Sequence, residues 1–127
     1  MRSSILLSLA VISCWLPLCE TTTANDWPMY RCDSGRRGVT QDSLSGNLSL
    51  AWIRELPKLT PAFKDNRLQF DAGYEPVVAN GYLLIASSLT DSVKAYDTKT
   101  GKQLWSFYAN GPVRFAPTIE GGHVYFG

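Results

Sequence analysis

Histidine and cysteine are scarce in this chain, and the scarcity removes whole classes of chemistry before any motif is sought. Among 127 residues there are one histidine and three cysteines. The histidine, His123, has no second imidazole and no ligand spacing around it, so a strand residue facing solvent is its expected role. An excess of charge is missing too: twelve basic residues meet eleven acidic ones. No basic stripe is available to neutralise phosphates, which excludes nucleic acid as an expected partner. Paired carboxylates, a phosphate-cradling glycine loop and a metal-ligand cluster are likewise missing from the sequence, and no residue is assigned a catalytic, cofactor-binding or metal-binding role.

Long hydrophobic runs are missing as well, with one exception at the start. Met1-Arg2 is a short basic opening, and Ile5 to Leu18 is mostly apolar, broken by Ser8, Ser13 and Pro17. The run is shorter than the roughly 20 apolar residues a membrane-spanning helix needs. Residues 1–24 therefore read as a signal peptide, with Thr22-Thr23-Ala24 placing small residues where a signal peptidase inspects the chain and a cut expected after Ala24. The protein is expected to be exported, periplasmic or secreted. Two other fates stay open: Cys19, behind Leu16-Pro17-Leu18, stands where a lipid-acceptor cysteine would, although Leu18 is bulkier than lipoprotein processing prefers, and an uncleaved leader would anchor the chain. Removing the leader takes Cys14 and Cys19 with it. Cys32 then remains alone between Asn25 and Gly127, with no partner there for a disulfide and no His and acid partners for nucleophilic work, so its expected role is structural or incidental.

What is present is aromatic. Aromatic residues make up 12% of the chain, which favours a β architecture over a helical one. Residues 25–74 read as a lead-in. Its first half is polar and turn-rich, with Trp27 and Tyr30 as expected anchors into a core formed elsewhere and Arg36-Arg37 as a solvated turn. Leu50 to Leu56 is a strand candidate closed by Pro57. Lys58 to Gly73 reads as a long surface loop with Phe63 and Phe70 packed back.

From Pro76 the chain repeats itself. The stretch from Pro76 to Ala86 returns as Pro117 to Gly127, a shift of 41 residues under which Pro, a β-branched residue, Gly, an aliphatic, a large apolar and a small residue coincide. That period is the size of a four-stranded propeller blade, longer than helical-pair or leucine-rich repeats. Between the two prolines the pattern predicts strands over 75–79, 82–87, 93–97 and 103–108. Asn80-Gly81 is a two-residue hairpin signal, because both residues tolerate positive φ. Ser88 to Ser92 is a polar turn, and the Asp97 carboxylate is placed to accept from backbone amides ahead of Thr100-Gly101.

The stretch Ala95-Tyr96-Asp97-Thr98-Lys99-Thr100-Gly101-Lys102-Gln103-Leu104-Trp105 resembles the tryptophan-docking motif of pyrroloquinoline-quinone-like β-propeller repeats, Ala-x-Asp-x-x-Thr-Gly-x-x-x-Trp. Every fixed position is met, at Ala95, Asp97, Thr100, Gly101 and Trp105. The resemblance runs from about Trp27 to Gly127 and includes the repeats of the outer-membrane protein assembly factor. It implies an all-β fold of the quinoprotein alcohol dehydrogenase-like kind, a β-propeller of four-stranded antiparallel blades, about six to eight of them. Residues 75–109 would form the first blade and 115–127 the start of the next, so the chain is expected to be the opening part of a longer protein. The resemblance further implies that Leu50–Leu56 completes the last blade and closes the ring, and that Trp105 stacks against the adjoining blade. One blade alone would leave open edges and exposed apolar faces.

Fold does not fix function, and this family divides between quinone-dependent dehydrogenases and propellers without a cofactor. Resemblance to the dehydrogenases, which oxidise alcohols or sugars with pyrroloquinoline quinone and calcium, would require a cofactor-binding Glu at the place held here by Gly73; Glu75 is out of that register. The two adjacent cysteines that many of them carry after the docking motif are also missing between Ser106 and Gly127. Both departures point to a non-catalytic scaffold with envelope proteins as partners. Glu75 is then expected to face solvent or to bond between blades. Tyr74, Asp91 and Arg114 fall in loops on a face of such a disc, where ordinary solvation accounts for them equally well.

Overall fold

The computed structural model describes residues 24–44, 46–61, 64–68 and 73–127. The leader with Cys14 and Cys19, and the loop residues Phe63 and Phe70, lie outside the described residues. No helix among the described residues is long and apolar enough to cross a membrane. The described chain is all-β apart from one 3-10 turn, Asn66–Leu68.

Four strands form an antiparallel meander: β1 Val77–Ala79, β2 Tyr82–Ser87, β3 Ser92–Asp97 and β4 Gln103–Tyr108, in the spatial order β1-β2-β3-β4. The expected second and fourth strands coincide with β2 and β4. The first begins at Val77 rather than Glu75, because Pro76 has no N–H to give a ladder, and the third begins one residue early, at Ser92. Each hairpin has a local cause. Asn80 and Gly81 adopt φ 53° and 79°, as a turn matching the twist of two antiparallel strands requires. Asp91, at φ 47°, closes the β2–β3 turn, while Ser87 and Thr90 tie it by a 3.3 Å bond from the Thr90 amide to the Ser87 hydroxyl.

The period of 41 reappears in three dimensions. β5, Thr118–Glu120, and β6, His123–Tyr125, pair antiparallel around Gly121-Gly122 at φ 55° and 77°, at the same spacing from β1 and β2 that the sequence repeat sets. This second hairpin packs on one face of the first sheet. Register places Val77, Leu84 and Ala95 side by side on that face, and there they join Ala79, Val93, Val113 and Ile119 in one buried cluster. Fully burying a Leu or Val contributes about 1.5–3 kcal/mol, so this face is the main cohesive contact between the two units. The β3–β4 pair slips register between Ala95 and Tyr96, a bulge that sets Trp105 opposite Ala95. A small residue at 95 leaves room for the indole beside it.

The lead-in departs from the expectation at Tyr30. Leu50–Leu56 pairs in no ladder among the described residues, and Leu50 and Ile53 are exposed. A strand is made by its neighbour's backbone groups as much as by its own β-propensity, and this segment is instead held by side chains, as described below. Of the two expected anchors, Trp27 is half-buried but Tyr30 remains 45% exposed. Trp27 is fixed by its backbone, which pairs with Val78 in both directions, at 2.6 Å and 2.8 Å. It therefore lies along the open edge of β1, and the next carbonyl, that of Pro28, accepts from the Ile119 amide at 2.8 Å.

Candidate functional site

The docking motif folds into one turn that other parts of the chain use as a socket. Asp97 ends β3, and its Oδ1 accepts from the amides of Lys99 at 3.1 Å and Thr100 at 2.7 Å and from the Thr100 hydroxyl at 2.7 Å. The Gly101 amide closes onto the Asp97 carbonyl at 2.8 Å, and the Lys102 amide reaches the Thr100 hydroxyl at 3.3 Å. Short polar side chains that bond their own backbone two and three residues on are what make this a turn rather than a continued strand. The Thr98 amide donates to the Gly81 carbonyl at 3.1 Å, so the turn leans on the neighbouring hairpin.

Trp52 occupies the socket. Its Nε1 donates to the Thr98 carbonyl at 2.9 Å, and its ring lies so close over Gly101 that a Cβ there would come within 2.6 Å of Cδ2. Gly101, buried and at φ 67°, is doubly specified, by the backbone conformation and by the indole. Arg54 adds a second attachment. Its Nη2 donates to the Gly101 carbonyl at 2.5 Å, and its guanidinium carbon stands 5.0 Å from the centre of the Tyr96 ring, a cation–π contact on the face of the sheet opposite the Leu84 cluster. Neither residue was assigned a role from sequence. The available signal was an unusual one: a Trp beginning an isolated β-prone run, in a chain whose docking motif also ends in Trp.

The motif residues thus divide by place. Asp97, Thr100 and Gly101 form the socket; Ala95 and Trp105 are cross-strand partners away from it. Trp105 is 37% exposed and lines a cleft with Tyr82, Leu84, Ile119, His123 and Val124, between the first sheet and the second hairpin. Phe107 and Phe126 meet across the same junction, their rings 5.4 Å apart and tilted by 58°.

Glu75 bonds between the two units: its Oε2 accepts from the Ala116 amide at 3.2 Å, across 41 residues of sequence. Gly73 is exposed, with open space where a side chain would begin. A quinone held with calcium needs carboxylate oxygens directed at it, and here one position has no side chain while the nearby carboxylate is engaged by backbone. Among the described residues no group of three or more His, Cys, Asp or Glu side chains is placed to hold a metal ion. The residues present do not fit that cofactor.

The other residues considered from sequence are dispersed. His123 is an exposed strand residue whose Nδ1 lies 2.9 Å from the Gly121 carbonyl. Cys32 is a half-buried free thiol in a tight turn at φ 80°, next to Asp33, which pairs with Arg37 at 2.6 Å. Tyr74 donates its hydroxyl to the Pro57 carbonyl at 2.7 Å and so fastens the end of the long loop. The Asp91 carbonyl accepts from the Ala109 amide at 2.7 Å, and Arg114 lies in the loop leading to β5.

One charge in the socket is chemically biased. The Thr100 hydroxyl first, then the Thr100 amide, hold the Asp97 carboxyl below its ordinary value of 3.8, outweighing the small opposing effect of desolvation. The unfolded chain takes up the proton at higher pH than the folded one, so this carboxylate favours folding above pH 3.8 and the advantage is lost as pH falls through the lower folded value. In acid titrations followed by urea unfolding, Asp97→Asn is expected to be less stable than the native protein at pH 7 and to show a flatter decline below pH 4. Equal slopes for the two proteins would show that Asp97 carries no such linkage.

Comparison with known proteins gives one match. The repeat family described as outer membrane protein assembly factor BamB covers residues 33–127. No curated protein and no solved structure matches the chain.

Proposed function

The chain belongs to the pyrroloquinoline-quinone-repeat family described as outer membrane protein assembly factor BamB, and from that premise we propose that it is an exported, non-catalytic β-propeller that serves as a protein-interaction scaffold in the cell envelope. The observation that carries the reading is the use made of Gly101: the socket's most constrained position receives the Trp52 ring, a structural tenant rather than a ligand. The polar side chains at the junctions serve the same end. Glu75 joins the two hairpins, Asp26 accepts from the Asn80 amide at 3.2 Å, and Arg54 ties the lead-in to the turn.

On this reading the Leu50–Leu56 segment belongs to a neighbouring blade and closes the ring, with Trp52 seated on the turn of the first blade. Stacked blades hold inter-strand loops on the two faces of a disc, and partners bind those loops or add a strand to a blade's outer edge. The outer strand β4 suits the second mode, since it ends the sheet and pairs on one side only, with β3.

The test uses the complete exported protein. Titration with pyrroloquinoline quinone and calcium, followed by cofactor absorbance and by dye-linked oxidation of alcohols and sugars, is expected to give neither saturable binding nor turnover. A photo-crosslinker at Tyr108 in cells is expected to give discrete envelope-protein adducts. Saturable quinone binding with turnover would overturn the scaffold reading and make the protein a quinone-dependent dehydrogenase.

A further inference from the structure

Residues 25 to 28 each bond a different part of the molecule. The Asn25 nitrogen donates to Asp42 Oδ2 at 2.6 Å, and its side-chain Nδ2 to Asp42 Oδ1 at 2.5 Å. Asp26 accepts from the Asn80 amide in the β1–β2 turn, Trp27 pairs with Val78 on β1, and Pro28 accepts from Ile119 on β5. Ala24, the residue before this series, is exposed. This series of bonds thus begins, among the described residues, at the residue that follows the expected cleavage site.

We propose that Asp42 is a receptor for the mature amino terminus: cleavage after Ala24 frees an α-ammonium on Asn25, and the Asp42 carboxylate captures it. This rests on the export reading given above. In the cleavage step one water is consumed; the Ala24–Asn25 peptide bond breaks, the hydroxyl goes to the Ala24 carbonyl and one proton to the Asn25 nitrogen, and the freed amine takes a second proton, matched by the one the new Ala24 carboxyl releases. An amide that gave one hydrogen bond becomes a cation in the same position. Both carboxylate oxygens then face the first residue, one toward the ammonium and one toward the side-chain amide, a charge-assisted pair with two-point geometry.

The receptor is set in place before the ligand arrives. The Asp42 amide donates to the Thr40 hydroxyl at 3.0 Å, which fixes the loop locally, and Asp42 is half-buried. Arg37, which lines the same cleft as Asn25, is already paired with Asp33 at 2.6 Å. Because Trp27 and Pro28 follow directly, holding Asn25 also holds the strip that bridges β1 and β5. Processing therefore does more than release the protein: it completes the fastening of the lead-in across the two hairpins.

The experiment compares the exported protein with a form extended by Gly-Ser ahead of Asn25, in which the same nitrogen is a neutral amide, each with and without Asp42→Asn. The readout is the rate of trypsin cleavage at Arg31, Arg36 and Arg37 under native conditions, which follows local opening of the lead-in. Exposed ion pairs contribute up to about 1 kcal/mol, so Asp42→Asn is expected to speed cleavage by about three- to fivefold in the Asn25-initiated protein and by less than about twofold in the extended one. The same increase in both forms would overturn the proposal, since Asp42 would then serve the backbone amide and not a charge. Intact mass tests the premise separately: a chain starting at Asn25 supports it, and one starting at Met1 or Cys19 overturns the cleavage after Ala24 on which the proposal rests.

Discussion

Gly101→Ala is expected to destabilise the folded protein by about 3 kcal/mol, seen as a fall in the urea midpoint at unchanged slope. Two costs combine. A side chain at φ 67° is strained, by about 1 kcal/mol for a residue without β-branching. The new methyl would also stand 2.6 Å from the Trp52 ring, and overpacking of this kind costs a further 1–3 kcal/mol, about 2 of which is expected here because the ring is tethered and cannot simply withdraw. By contrast Gly81→Ala, at φ 79° but facing open space, is expected to show the backbone cost alone.

Trp52→Ala is the complementary change and is expected to cost about 2–3 kcal/mol. A fully buried Trp costs about 3–5 kcal/mol on truncation to Ala, and Trp52 is only half-buried. Its loss strips the stacking surface from Gly101 and the 2.9 Å donor from the Thr98 carbonyl, which water replaces. Arg54 loses its neighbour on the same segment and is left to bind that segment to the first sheet through the Gly101 carbonyl and the Tyr96 ring. Trp52→Phe keeps an aromatic face on Gly101 without the donor and is expected to cost about 1 kcal/mol, close to one neutral hydrogen bond. A Trp52→Ala protein as stable as the native one would mean that the lead-in does not depend on this attachment.

The sheet was legible in the sequence wherever local chemistry decided the outcome. Asn80-Gly81 had to turn and Asp97 had to bond the amides that follow it, whereas the expected strand 75–79 overran Pro76, which cannot donate to a ladder. The repeat then fixed β5 and β6 from β1 and β2 without further information. The lead-in was not legible in the same way, because its structure is set by partners far along the chain. Trp52 takes its place from Thr98 and Gly101, 46 and 49 residues later, and Trp27 from Val78, in an edge pairing that leaves no periodicity in the sequence. Leu50–Leu56 has the composition of a strand and lacks a ladder among the described residues, since β-propensity describes the fit of side chains to a sheet rather than the presence of one. Glu75 illustrates an intermediate case. The sequence left it either facing solvent or bonded between blades, and the exposed carboxylate accepts from the Ala116 amide.

Legibility of the site follows the same division. The docking motif announced a turn, a feature of a single hairpin, and a Trp105 stacked against the adjoining blade; the structure sets Trp105 opposite Ala95, in a cleft against the second hairpin. That the turn would also be a socket for a second Trp, from a segment without the motif, depends on a contact between distant segments and could be seen only once the chain was folded.

The most direct measurement is a double-mutant cycle between Trp52 and Gly101 in the full-length protein, read by equilibrium urea unfolding. If Trp52 sits in the socket, Gly101→Ala costs about 3 kcal/mol in the native background and about 1 kcal/mol in the Trp52→Ala background, because the overlap goes with the ring and only the backbone strain remains; the coupling is about 2 kcal/mol. Additive effects, with Gly101→Ala costing the same in both backgrounds, would contradict the docking of the lead-in on the first blade and with it the closed propeller inferred from that contact.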